Sequence, residues 1–319
     1  MQSSGTVRKD LGPLARTEHL RTLLRSAAFP LLFSATVAMA AGSLVLRWDP
    51  GTVSPLFLVF TLLYLAILER VIPHRRTWHP SRAEWRWYGI HFLLTMAASA
   101  VAQFLVTAAV IRVAPAGTAM PLWAGVPGAL LCGSLAGYLV HRLAHTHPLL
   151  WRFHGVHHVP QKVNVANNGV NHVLDIVLAQ GVVQLTLAFV GFSAEAVLAA
   201  GLFTTAQGYF VHANIDVRLG PLNHVLASPE QHRLHHSTDL TEAGHYGSDL
   251  SCWDHLFRSF TWRPGREPVA VGLTDPAAFP STDEIVATLL HPWRPSANRD
   301  AKNHNGNNHD RGTGTGTTA

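Results

Sequence analysis

Cysteine and charged side chains are both scarce in this chain of 319 residues. Only two cysteines occur, Cys132 and Cys252, and no CxxC pair is present. This excludes a disulfide framework, a cysteine-based zinc site and a dithiol redox site. Charged residues make up 13% of the chain, about half the share of a soluble domain, whereas hydrophobic residues make up 48%. The low charge predicts a membrane protein.

The net charge of +5 does not indicate a nucleic-acid partner. The basic residues are concentrated beside apolar segments, where membrane proteins use them to set orientation. We therefore expect a lipid bilayer, and not nucleic acid, as the surroundings of this chain.

Four apolar runs are long enough to cross a hydrocarbon core of about 30 Å as helices. They cover about residues 26–46, 53–68, 88–111 and 121–140. A further apolar stretch, residues 176–211, is too long for one span and too short for two full ones. The break at Gly191 to Ser193 predicts a hairpin of two shorter helices.

The sequence thus predicts an all-α fold, an integral membrane bundle of four spans plus a helical hairpin, with a cytosolic histidine-rich helical cap. Residues 1–25 are expected to form a polar tail, 26–297 the membrane-embedded domain, with its motifs in 130–262, and 298–319 a disordered tail. Basic residues in the N-terminal tail and in the loop 73–87 predict a multi-pass protein whose N-terminus, cap and C-terminus are cytoplasmic.

Three histidine motifs dominate the region after the fourth span. HRLAH places His141 and His145 four residues apart, and HGVHH contains His154, His157 and His158. A second HxxHH motif, HRLHH, follows about 75 residues later with His232, His235 and His236. Residues three and four apart share a helix face, so each motif can direct several imidazoles to one point.

Neutral imidazole binds iron, zinc, copper and nickel well, so a histidine-only cluster predicts a transition metal. The candidate ligands are His141, His145, His154, His157, His158, His172, His212, His232, His235 and His236. Ten ligands are too many for one ion and predict a two-metal site. His172 and His212 are included because they flank the hairpin, whereas His147, His224 and His255 are expected to be ordinary surface residues.

A metal-bound imidazole needs an acceptor for its second ring nitrogen. The candidate acceptors are Asp175, Asn214, Asp216, Asp239, Asp249 and Asp254. Asp254, beside Trp253 in an apolar stretch, is the first choice.

The order of motifs resembles the fatty acid hydroxylase/sterol desaturase superfamily of membrane non-haem di-iron enzymes. It runs HRLAH, LLWRFHGVHH with a following proline, NHVLD, HANI, SPEQHRLHHS and HYGSDLSCWDHLFRSF, over about residues 130–262. The family commonly has asparagine where His245 stands and glycine where Arg258 stands. The resemblance implies that the motif histidines bind two iron ions, with His172 and His212 as further ligands.

The resemblance also implies the reaction. Family members use O2 and two electrons to hydroxylate or desaturate an aliphatic C–H bond of a lipid, so we expect a lipid or lipid-like substrate, a role in lipid biosynthesis and no catalytic side chain beyond the metal centre. No flavin, nicotinamide or haem domain is evident, which implies a separate electron donor such as a cytochrome b5 or a ferredoxin with its reductase. Desaturation and, in another class, a metal-binding membrane protein or transporter remain alternatives, and the entry of His245 into the metal site stays open.

Overall fold

The computed structural model describes residues 13–113 and 120–294, and within these ranges the secondary structure is helical, without β-strands. The helices are α1 (Pro13–Leu46), α2 (Pro50–Val71), α3 (Arg82–Val113), α4 (Leu122–Thr146), α5 (Pro148–His154), α6 (Val173–Val190), α7 (Ala194–His212), α8 (Pro229–His235), α9 (Cys252–Leu256) and α10 (Ile285–Leu290). The predicted all-α class is confirmed. The predicted disordered tail 298–319 lies outside the described residues.

Five of these helices, α1 to α4 and α6, are long and apolar enough to cross a membrane. Many of their large apolar side chains, such as Leu56, Leu93 and Phe104, point outward and are exposed. A helix satisfies its own backbone hydrogen bonds, so outward apolar side chains suit a bilayer. α1 begins earlier than predicted, at Pro13, so part of the expected polar tail is helical.

The predicted hairpin is present. Gly191 ends α6 in the left-handed region, at φ 84°, and its N–H bonds the carbonyls of Leu187 and Ala188 at 3.2 and 3.0 Å. Glycine adopts this conformation without a side-chain clash. Two residues later, Ser193 Oγ accepts from the Ala196 N–H at 3.2 Å and starts α7.

α7 lies at the centre of the bundle, in contact with α1, α2 and α4, while α6 packs against α3 and α4. Small residues allow close approach of helices in a membrane. A Cβ built on Gly125 of α4 would meet the Cβ of Ala196 of α7 at 3.4 Å. On its other side, α7 packs Phe210 against Phe29 of α1, with ring centroids 5.0 Å apart.

The segment after α7 is fastened to the segment after α2. The His74 N–H donates to the Asn214 carbonyl at 3.1 Å, and the Asp216 N–H donates to the Ile72 carbonyl at 2.9 Å. The ends of α2 and α7 therefore lie on one side of the bundle. Residues 147–172 and 213–294 cover these ends as a cap of short helices and turns, and this cap contains the histidine motifs.

Candidate metal centre

The HRLAH motif forms the last two turns of α4. The spacing of four residues brings His141 and His145 to one face, with ring centroids 5.0 Å apart. α4 ends at Thr146 because Pro148 follows shortly, and a residue before proline disfavours the helical conformation. Pro148 then occupies the first turn of α5, where its missing N–H costs nothing.

The HGVHH motif only begins as an α-helix. α5 ends at His154, and residues 155–158 form a 3-10 turn that presents His157 and His158. The tighter turn changes the directions of these two side chains relative to an α-helix. Gly155 is required here, because a Cβ would overlap the Phe279 ring.

The HRLHH motif lies on α8, and the residues before it explain why a helix starts there. Ser228 Oγ accepts from the Gln231 N–H at 3.3 Å, and Gln231 Oε1 accepts from the Ser228 N–H at 3.1 Å. This reciprocal capping box, with Pro229 at the first helical position, fixes the start of a seven-residue helix. His232 and His235 lie within α8, and His236 follows it.

Nine of the ten predicted ligands come together in two groups. The five-histidine group contains His141, His145, His154, His158 and His235. The four-histidine group contains His157, His212, His232 and His236. In each group, one ring nitrogen per residue lies within 4.8 Å of the others.

The two groups are adjacent because each HxxHH motif contributes to both. His158 of the five-histidine group stacks on His236 of the four-histidine group, with ring centroids 4.3 Å apart. His212 arrives from the end of α7, 5.0 Å from His157 between ring centroids. The hairpin therefore returns the chain to the first motifs, as the sequence analysis predicted.

His172, the tenth predicted ligand, is not in either group. Its Nδ1 accepts from the Leu174 N–H at 3.1 Å and so caps the start of α6, while Nε2 lies 3.2 Å from the Leu289 carbonyl. Both ring nitrogens are therefore bonded to backbone groups. The position of His172 at the entrance of the hairpin reflects helix capping.

The Nδ1 atoms of five grouped histidines lie against acceptors. Four of these acceptors are backbone carbonyls, and one is a carboxylate. The pairs are His141 with Tyr246 O (2.6 Å), His157 with Val170 O (3.2 Å), His212 with Asn164 O (2.9 Å), His235 with Gly244 O (3.3 Å) and His154 with Asp175 Oδ2 (3.0 Å). Donation from Nδ1 fixes the tautomer and leaves Nε2 as the free acceptor.

Asp175 is thus the predicted acid that bonds a grouped imidazole. Asp254, the first choice in the sequence analysis, instead accepts backbone N–H groups from Tyr246 and Gly247 at 2.7 and 2.9 Å. The first choice was therefore wrong. The remaining candidates do not bond a grouped imidazole either. Asn214 bonds the Arg75 backbone, Asp216 pairs with Arg25, Asp239 bonds Thr241, and Asp249 bonds Ser134.

The donor set fits transition-metal ions. The Nε2 atoms of His141, His154, His158, His212 and His235 are buried and have no hydrogen-bond partner among the described residues. A buried polar atom without a partner is costly unless an ion or a water molecule satisfies it. In the four-histidine group, Nε2 of His232 and Nε2 of His236 face each other at 3.1 Å, an arrangement suited to a shared cation.

Burial favours the neutral imidazoles that bind metals. It lowers the pKa values of the cap histidines well below their usual range, and neighbouring imidazoles lower them further. This applies to His157, His158, His232, His235 and His236. A neutral imidazole can bind a metal ion without first losing a proton.

His147, His224 and His255, which were expected to be surface residues, are exposed and lie in neither group. His147 directly follows α4, and His224 and His255 stack on each other with ring centroids 5.4 Å apart. His245 is buried but belongs to neither group; its Nδ1 lies 3.5 Å from Gln231 Nε2.

One buried acid beside the site was not predicted from the sequence. Glu69, in the last turn of α2, accepts two backbone N–H groups beside the four-histidine group.

An apolar groove of about 540 Å³ lies between α4 and α6. It is lined on α4 by Leu135, Leu139 and Leu143, among others. At about 100° per residue, these positions lie on the face of α4 opposite His141. The groove is therefore separate from the histidine site.

Comparison with known proteins places the chain in a family. The fatty acid hydroxylase model matches residues 126–259. An ornithine lipid hydroxylase of Rhizobium tropici is 32% identical over 246 residues, which is 73% of this chain and 73% of the relative. The chain belongs to the fatty acid hydroxylase family.

More distant relatives of this fatty acid hydroxylase family member include alkylglycerol monooxygenases. Those of Danio rerio and Homo sapiens are both 30% identical, over 166 and 162 residues, or 49% and 48% of this chain. These matches cover only 34% and 33% of those relatives. No solved structure matches. The resemblance stated from the motifs is confirmed, and the protein is a membrane oxygenase.

Proposed function

We propose that this protein is a di-iron hydroxylase that inserts an oxygen atom from O2 into an aliphatic C–H bond of a membrane lipid. The observation that carries the proposal is the division of nine histidines, eight of them buried, into two adjacent groups. Iron bound at both groups would supply the activation of O2 and the removal of hydrogen from an unactivated carbon. The names of the relatives support hydroxylation over desaturation.

The residues of this chain have three tasks in that reaction. The grouped imidazoles bind the metals through Nε2, and the carbonyls and Asp175 hold the rings by Nδ1. The cap buries the groups and excludes bulk water from them. Electrons come from a separate donor protein, for which the proposed cytoplasmic position of the cap gives access.

A transporter is the weaker candidate. Transport sites lie near the middle of the membrane, on interrupted helices. The histidine groups here lie at the ends of α4 and α7 and in the cap beyond them. This position favours a catalytic centre that receives a lipid from one leaflet.

Metal analysis and lipid mass spectrometry test the proposal. The purified protein should contain about two irons per chain, and membranes expressing it under 18O2 should accumulate a lipid that is heavier by one 18O atom. A lipid that has lost two hydrogens would indicate a desaturase instead. Stoichiometric zinc that iron cannot replace, with no oxidised lipid, would refute the proposal.

Two variants address the groups separately. His157→Ala removes one member of the four-histidine group, and His235→Ala one member of the five-histidine group. Each should abolish oxidation and lower the iron content while the protein stays in the membrane. His224→Ala, an exposed histidine outside both groups, is the matched control and should retain iron and activity.

A further inference from the structure

A single peptide group connects His212 to the buried acid Glu69. His212 Nδ1 donates to the Asn164 carbonyl at 2.9 Å. The N–H of the same peptide group belongs to Val165 and donates to Glu69 Oε1 at 2.8 Å. The order is imidazole N–H, carbonyl, amide N–H and carboxylate.

The five-histidine group has the same arrangement at His141. His141 Nδ1 donates to the Tyr246 carbonyl at 2.6 Å. The N–H of that peptide group belongs to Gly247 and donates to Asp254 Oδ2 at 2.9 Å. Each histidine group therefore contains one imidazole joined to a buried carboxylate through one peptide.

Each carboxylate also holds a second backbone N–H beside its histidine group. Glu69 Oε1 accepts from the Asn214 N–H at 2.8 Å, two residues after His212. Asp254 Oδ1 accepts from the Tyr246 N–H at 2.7 Å. Glu69 is 6% exposed and Asp254 is fully buried, so water does not weaken the hydrogen bonds that these carboxylates accept.

A carboxylate that accepts from the N–H of a peptide group changes the hydrogen-bonding strength of the carbonyl in the same group. An amide N–H that donates to a negative charge polarises its peptide, and the carbonyl becomes a stronger acceptor. The stronger acceptor pulls on the imidazole N–H and raises the basicity of the opposite ring nitrogen, the effect that acceptors of ligand histidines have on metal binding.

We propose that Glu69 and Asp254 are positioning residues, one for each histidine group, that act on His212 and His141 through a single intervening peptide. This inference rests on the proposed metal centre. It assigns a role to two acids that touch none of the grouped rings directly, in contrast to Asp175.

Glu69→Gln separates charge from geometry. A glutamine Oε1 can accept both N–H groups in the same positions, so the variant keeps the hydrogen bonds and loses the charge. We expect one of the two metal equivalents to bind about 10-fold more weakly. Binding is measured by titrating the metal-stripped, full-length protein with Co²⁺ against a chelator. The thermal unfolding of the metal-free protein should match that of the wild type.

Two further variants complete the comparison. Glu69→Ala loses the hydrogen bonds as well as the charge, and should lower both metal affinity and thermal stability. Thr61→Val, a buried near-isosteric change on the same helix, is the matched control; it removes a buried hydroxyl that has no hydrogen-bond partner among the described residues, so it should leave metal affinity unchanged and should not lower thermal stability. If Glu69→Gln binds both equivalents like the wild type, the role of Glu69 is structural only and the inference is overturned.

Asp254→Asn tests the other group. In a His232→Ala background, which disables the four-histidine group, Asp254→Asn should weaken the remaining metal about 10-fold, and Glu69→Gln should not. Asp249→Asn in the same background is the control and should leave metal affinity unchanged, because this buried acid accepts from the Ser134 hydroxyl at 2.5 Å and not from a peptide group that bonds a grouped imidazole. Equal effects of Asp254→Asn and Glu69→Gln in that background would overturn the assignment to separate groups. Failure of the wild type to take up two metals would instead refute the proposed function.

Discussion

Asp175 Oδ2 lies 3.0 Å from His154 Nδ1, so a carboxylate directly orients one ring of the five-histidine group. Asp175 lies in the first turn of α6, where the helix dipole stabilises a negative charge. We expect Asp175→Asn to keep an acceptor oxygen but to weaken one bound metal about 10- to 100-fold. Chelator competition on the purified protein measures this loss.

The control for Asp175→Asn is Glu195→Gln, in the first turn of α7. This variant also neutralises an acid in the first turn of a helix, but Glu195 lies at the turn of the hairpin, away from the histidine groups. It should leave metal binding unchanged. Wild-type metal affinity in Asp175→Asn would show that a neutral acceptor is sufficient at His154.

The capping role of His172 predicts a different result from that of a ligand. Asparagine is a good N-cap, so His172→Asn should retain two irons per chain and near-normal stability. His172→Ala should also retain the iron but lower the free energy of unfolding by about 0.5–2 kcal/mol. Iron analysis and thermal unfolding distinguish the two effects. Loss of an iron in His172→Asn would return His172 to the ligand set.

Arg258 adopts φ 60°, in the left-handed region that favours glycine. A residue with a Cβ is strained by about 1–2 kcal/mol in this region, and replacement by glycine removes that strain. About half of the stabilisation is lost again, because glycine has more conformational freedom in the unfolded chain. Arg258→Gly should therefore raise the free energy of unfolding by about 0.5–1 kcal/mol. Arg258→Ala keeps the Cβ and should give no such gain. Equal stabilities in thermal unfolding would contradict this explanation.

The two cysteines offer a test of orientation. Cys252 is exposed in the cap, whereas Cys132 is partly buried in α4 beside the apolar groove. With a cytoplasmic cap, a membrane-impermeant maleimide should label inverted vesicles and not intact cells, and Cys252→Ser should remove the signal. Burial raises the pKa of the Cys252 thiol, so the labelling rate should increase as the pH rises. Labelling of intact cells would place the cap outside.

The sequence predicted the helical bundle and the hairpin because both depend on local patterns. Runs of apolar residues specify spans, and Gly191 followed by Ser193 specifies a helix end and a new start. Eight of the nine grouped histidines could be brought together on paper by the spacing of the motifs, and His212 by its place beside the hairpin. The division of each HxxHH motif between two groups was not predicted. It depends on the 3-10 turn at 155–158 and on the docking of α8 against α7.

The surroundings of the histidines were harder to predict. Most Nδ1 acceptors are backbone carbonyls, such as Tyr246 O and Asn164 O, and every residue has a carbonyl, so the sequence carries no signal for them. Glu69 directly follows the predicted span 53–68, and nothing in the sequence marks it, because only the folded chain brings the Val165 and Asn214 N–H groups to it. His172 was assigned from its place in the chain, which does not distinguish a helix cap from a ligand.

The returning hairpin has a consequence for the order of biosynthesis. Each histidine group combines residues made before α6 with residues made after α7, so the five-histidine group is complete only once His235 has been synthesised, and the four-histidine group only once His236 has. The roughly 74 residues from His158 to His232 take roughly 4 to 15 seconds to translate at about 5–20 residues per second. During that interval the first motifs leave the ribosome without their partners. The first four spans are therefore made before either group is complete, and a metal ion can meet a full set of ligands only after α8 has been made.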